Sequence, residues 1–176
     1  MKGLFITFEG IDGCGKSTQI DLLAKHFTKL KKPIVKTEEP GGTAGANEIR
    51  KILLRENNYQ WSVETEALLF MAARNDHVEK VIKPSIKDNK IVICDRFMDS
   101  TLVYQGMRSP KAKQLSLTLF DLIAINPDIT FLIDMEPEIA LNRALSRSTE
   151  EDRFENYGIN FQHKLRKNFL DMAHKD

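Results

Sequence analysis

With 176 residues, 41% hydrophobic and 29% charged, the chain suits one domain with a sizeable core and is unlike a disordered segment. Its formal net charge of +1 gives no field that would make nucleic acid or an anionic membrane the main partner. No apolar run approaches the roughly 20 residues of a membrane helix. Met1-Lys2-Gly3 leads into the first apolar run without a secretory pattern, and Cys14 and Cys94 lack metal or disulfide spacing, so a cytoplasmic, reducing setting is expected.

Residues 4–8 are an apolar strand, and Gly10, Ile11, Asp12, Gly13, Cys14, Gly15, Lys16, Ser17 and Thr18 follow as a complete G-x-x-x-x-G-K-[ST] phosphate loop. The glycines let the backbone curl so that its N–H groups face phosphate oxygens. Lys16 brings a charge to the β and γ phosphates, and Ser17 brings a hydroxyl to magnesium. Ile20, Leu23, Ala24, Phe27 and Leu30 recur at helical spacing, so the loop opens a helix whose N-terminus also attracts phosphate. This arrangement points to a nucleoside triphosphate.

Further along, strands are predicted at 33–36, 91–94 and 129–133, and helices at 46–54, 65–82 and 112–125. Strands alternating with helices predict an α/β fold, a doubly wound parallel sheet flanked by helices, with ligands beyond the carboxyl ends of the strands. Those ends carry the phosphate loop, the run from Glu38 to Thr43, Asp95-Arg96-Phe97, and Asp134. An apolar strand ending in Asp95 is how such enzymes hold magnesium opposite Ser17, although an Asp there also serves as a cap. Arg96 beside it adds a guanidinium for an anionic group. Phe70 and Arg74, four residues apart, share a helix face. They form either one wall of a base pocket or a core Phe beside a surface Arg. Arg50 is either a phosphate ligand or a solvated charge opposite Ala46, Ile49 and Leu53. No repeat or linker breaks the chain, so residues 1–176 are expected to form a single domain.

Phe8-Glu9-Gly10-Ile11-Asp12-Gly13, Glu39-Pro40-Gly41-Gly42-Thr43, Leu69-Phe70-Met71-Ala72-Ala73-Arg74, and Asp95-Arg96-Phe97 with Ser100 and Tyr104-Gln105-Gly106 resemble, in order, the motifs of bacterial thymidylate kinases. Asp152-Arg153-Phe154-Glu155 resembles their lid motif. The resemblance covers nearly the whole chain and implies a P-loop NTPase of nucleoside monophosphate kinase type. Such an enzyme transfers the γ-phosphoryl group of ATP to dTMP with Mg2+, as a cytoplasmic homodimer. It further implies that Phe70 stacks on thymine, Arg74 bonds its carbonyl oxygen, and Ser100 or Thr101 lines the base edge. Tyr104 would sit against the sugar, Gln105 would position the nucleotide, and Asp12 would face the 3′-hydroxyl. Arg50 and Arg96 would hold the acceptor phosphate, and Glu39 would belong to the magnesium and phosphate network.

The nucleophile in such a reaction is a phosphate oxygen with a second pKa near ~6, so no general base is needed. Charge compensation is needed instead. The polar segment 143–157, with Arg143, Arg147 and Arg153, suits a lid over the phosphates, or else a solvated helix end and loop. In the family it resembles, the catalytic arginine comes either from the phosphate loop or from the lid, and with Gly13 and Cys14 at the variable loop positions the resemblance implies the lid-arginine class, with Arg147 or Arg153 as the transition-state arginine. His26, His77, His163 and His174 show no metal-ligand spacing and read as ordinary surface or core residues.

Two features depart from the family pattern. Glu38 stands where a basic residue is common, and the chain stops at Asp176, before the family's fifth strand and final helix, which would leave residues 130–133 as a sheet edge. The alternatives are a P-loop kinase for another deoxynucleoside monophosphate, or a catalytically impaired ATP-binding module.

Overall fold

The structure, a computed structural model, describes residues 2–54, 61–123, 125–146 and 153–174. Strands β1 (Leu4–Glu9), β2 (Ile34–Glu38), β3 (Ile91–Asp95) and β4 (Ile129–Leu132) form a parallel sheet in the order β2-β3-β1-β4. Parallel neighbours require crossovers, and helices supply them. Alternation along β1 divides the core. Phe5 packs with Val92, Cys94, Met71, Val78, Ile82 and Phe97 on one face. Ile6 and Phe8 pack with Ile20, Ala24, Ile91 and Ile93 on the other.

Helix α1 (Lys16–Lys29) starts at Gly15, whose φ of 104° favours glycine. Helix α2 is Ala44–Leu54. The expected helix over 65–82 is longer. Ser62 caps α3 (Val63–His77) by accepting from the Thr65 N–H, and the chain continues through a π turn (Val78–Ile82) into α4 (Lys83–Lys87). Pro84 lacks an N–H and its ring crowds the carbonyl four residues back, and the wider turn just before it relieves both problems. Helix α6 (Pro110–Ile123) matches the expected one closely. The short helices α5 (Met98–Tyr104) and α7 (Pro137–Leu145) were not foreseen from periodicity.

Helix α8 (Ile159–Ala173) places Leu165 and Phe169 against Ile11, Tyr104 and Phe154, a third cluster beneath the strand ends. Strand β4 is the outer strand of the described sheet, with Ile129 and Phe131 partly exposed.

Candidate active site

At the carboxyl ends of β1, β2 and β3 lies a cavity of about 260 Å³. Gly13, Gly15, Lys16, Ser17 and Asp95 line its phosphate-loop side. Asp12, Glu39, Arg50, Phe70, Arg74, Arg96, Ser100, Thr101, Tyr104 and Gln105 line the remainder, so all the residues expected on the acceptor side surround one space. Arg153 does not line it, and Arg147 lies outside the described residues.

Lys16 is buried and its Nζ donates to the Gly10 and Ile11 carbonyls, each at 3.2 Å. The Ser17 Oγ donates to Asp95 Oδ2 at 3.2 Å. Among the described residues, the buried Asp95 Oδ1 has no hydrogen-bond partner, and it lies 4.0 Å from Lys16 Nζ. A desolvated carboxylate oxygen beside a serine hydroxyl suits a hard cation, which takes few protein ligands and completes its shell with phosphate and water. Ile11 and Cys14 turn into the core. At Gly13, with φ 78°, a Cβ would lie 1.9 Å from the Ala140 carbonyl oxygen of α7. That position has no room for a basic side chain.

Arg96 has a φ of 69°, unusual for a non-glycine residue, and its N–H is fixed to the Phe8 carbonyl at 2.9 Å. Its guanidinium donates to Ser100 Oγ at 2.8 Å, Asp12 Oδ1 at 2.5 Å and the Tyr104 hydroxyl oxygen at 3.2 Å. Tyr104 in turn donates to Asp12 Oδ2 at 2.7 Å. Burial by itself would raise the Asp12 carboxyl, but the charges of Arg96 and Lys16 and the Tyr104 hydrogen bond outweigh it and hold the group at about 2. Burial likewise works against the Arg96 charge, yet Asp12 and the neighbouring acids push its pKa well above the usual range.

Behind Arg96 stands Glu9, which sequence reasoning passed over. Its Oε1 accepts from the Phe97 N–H at 2.7 Å and its Oε2 from the Ser100 hydroxyl at 2.5 Å. Burial, with the Asp99 charge added, raises this carboxyl to about 7 against the lowering effect of Ser100 and Arg96.

Arg74 is not a surface residue, for only 2% of it is exposed. Its Nε donates to Glu39 Oε2 at 2.6 Å, and its Nη2 donates to the Phe97 carbonyl at 2.9 Å and to Thr101 Oγ1 at 3.0 Å. The other oxygen of Glu39 meets His77 Nδ1 at 3.0 Å, and His77 Nε2 meets Thr37 Oγ1 at 2.6 Å. Glu39, expected in the magnesium and phosphate network, thus has both oxygens engaged by Arg74 and His77. Buried His77 is part of this support, whereas His26, His163 and His174 are exposed. Arg50 donates to the Pro40 carbonyl at 2.8 Å and to Glu38 Oε2 at 3.1 Å, so the unusual Glu38 faces a candidate phosphate ligand.

Arg153 donates from Nη1 to the Leu53 carbonyl at 2.9 Å and from Nη2 to Glu66. Sequence reasoning missed Glu66, and no periodic spacing links it to Arg153.

The family model described as Thymidylate kinase matches residues 8–176. Over 172 residues the chain is 50% identical to the thymidylate kinase of Ruegeria pomeroyi, covering 97% of this chain and 82% of that one. It is also 50% identical over 172 residues to the Dinoroseobacter shibae thymidylate kinase, covering 97% of this chain and 83% of the other. The crystal structure of thymidylate kinase from Ehrlichia chaffeensis superposes with a TM-score of 0.79 at 37% identity, covering 99% of this chain and 89% of that one. On these matches the chain belongs to the thymidylate kinase family.

Proposed function

We propose that this chain transfers the γ-phosphoryl group of ATP to dTMP, giving dTDP on the route to dTTP. The observation that carries this reading is a cavity in which the phosphate loop faces Phe70, Arg74, Arg96, Ser100, Tyr104 and Gln105. Lys16 would hold the β and γ phosphates, with Gly13 and Gly15 turning backbone N–H groups toward them. Ser17 and Asp95 would hold Mg2+, which when bound neutralises charge on the phosphate oxygens.

Arg96 is preset by Asp12, Ser100 and Tyr104 to receive the acceptor phosphate, with Arg50 beside it. Phe70 would stack on thymine, while Arg74 and Thr101 address the base edge. Asp12 and Tyr104 would face the sugar, and Gln105 would position the nucleotide. Glu39 acts in this reading by holding Arg74. The acceptor phosphate, largely dianionic at neutral pH because its second pKa is near ~6, attacks without a base, so alignment and positive charge supply the catalysis. With position 13 closed to a side chain, a lid arginine completes that charge, and we assign it to Arg147 because Arg153 is engaged by Glu66. Residues 143–157 would form that lid within one domain.

The same reading takes the protein as a cytoplasmic homodimer, which sedimentation equilibrium tests. ADP formation from ATP and Mg2+ is to be measured with dTMP, dUMP, dGMP, AMP and no acceptor. Selective turnover with dTMP is expected. ATP binding without acceptor-dependent turnover would instead favour an impaired nucleotide-binding module.

A further inference from the structure

Glu66, in the first turn of α3, is completely buried and carries no water-facing atom to lower the cost of its charge. Three donors from two distant parts of the chain meet it. Arg153 Nη2 donates to Oε1, Arg108 Nη1 to Oε2 at 2.6 Å, and Gln105 Nε2 lies 3.4 Å from the same oxygen. The second arm of the Arg153 fork holds the Leu53 carbonyl at the end of α2. Both arms of this guanidinium are therefore committed to the protein. To reach a phosphate, Arg153 would have to leave a desolvated carboxylate with Arg108 as its remaining cation.

The residue next to this fork is Phe154, which is buried and lines the cavity. Its ring stands 5.3 Å from the Tyr104 ring and 6.5 Å from that of Phe70, centroid to centroid. The Arg108 guanidinium lies 5.4 Å from the Tyr157 ring, and Tyr157 packs edge-on against Phe154 at 5.8 Å. Two arginines on one buried acid thus seat residues 153–157 against α3 and the loop after α5.

We propose that Arg153 and Glu66 are positioning residues for the acceptor pocket: the pair fixes Phe154 as the pocket wall beside Phe70 and Tyr104, and Arg153 does not meet the transferring phosphate. This rests on the dTMP kinase reading above. It differs from a merely structural ion pair in what it predicts for the two substrates. Loss of the pair loosens the dTMP side and leaves the ATP side and the chemical step intact.

Four variants test this, R153A, E66Q, their double and R153K, with kcat and both KM values measured and dTMP affinity determined by calorimetry. Wild-type turnover of dTMP is established first. If the wild type binds dTMP without turning it over, the kinase reading fails while the calorimetric arm still decides this inference. For R153A and E66Q the KM and Kd for dTMP are expected to rise about 10-fold, with kcat within about threefold and the KM for ATP unmoved. The double variant should be no worse than R153A, as for two residues acting through one contact. R153K keeps the charge but not the fork, so it should also weaken dTMP binding with kcat retained, and it serves if R153A does not fold. A fall in kcat of about 100-fold or more in R153A or R153K at saturating substrates, with E66Q like wild type, would overturn the proposal.

Discussion

Arg96 and Glu9 are two ionisable groups that the same burial affects oppositely. Arg96 keeps its charge because Asp12 and other acids surround it, whereas Glu9, beside Asp99, is driven toward its neutral form. The native state therefore retains a proton on Glu9 between its ordinary 4.5 and about 7, where the unfolded chain has released it. The contribution of this group to stability is complete below 4.5 and is lost as pH rises through about 7, a change of a few kcal/mol at most. Denaturant melts from pH 4.5 to 8 should be flatter in E9Q than in wild type. Asp12 works in the other direction, since its contribution is present above 3.8 and is lost as pH falls through about 2. For Arg74, truncation to Ala would leave the buried Glu39 without its closest cation. R74A is expected to lose about 3–5 kcal/mol in a chemical melt, beyond any effect on dTMP binding. K16A should instead leave stability near wild type and lower kcat by about 100-fold or more, read under saturating ATP.

At the scale of elements, the third core cluster ties α8 to the floor of the site through Leu165 and Phe169. F169A opens a cavity beneath Tyr104 and is expected to cost about 3–5 kcal/mol in a thermal or denaturant melt. The strands and the longer helices were legible because each carries a hydrophobic period or an apolar run long enough to read. Helix α5, with seven residues, and α7, with nine, are too short for a period to emerge. The expected helix ended at Ile82, whereas the wider turn before Pro84 lets the helical path continue to Lys87. Within the site, motifs and helix spacing named most of the side chains that line the cavity, but Leu54 was not foreseen and Phe154 was read only as part of the lid motif. The supports were not legible: Glu39 and His77 lie 38 residues apart, and Glu66 and Arg153 lie 87 apart, joined only by the fold.

For the molecule as a whole, the cavity is lined from β2, β3, α1, α2, α3 and α5, so a ligand bound there links elements far apart in the chain. Any nucleotide that occupies it and not the unfolded chain raises stability by about 2.7 kcal/mol at 100 times its Kd. A thermal melt should therefore shift upward with dTMP alone and again with an ATP analogue added, and R74A should lose mainly the first shift. The parallel sheet and the position of its ligand edge followed from the alternation of strands and helices. Which residues hold one another across that edge did not follow, because burial and ion pairing depend on contacts that no local pattern encodes.

The close fit of Gly13 under the Ala140 carbonyl also bears on how this site can change over generations. A single codon change that put an arginine at position 13 would drive its first carbon into α7 before its charge could help any phosphate. A basic side chain at position 13 therefore requires α7 to move away first. The spacing of one helix thus limits which residues this point of the loop can ever accept, whatever the chemistry would permit.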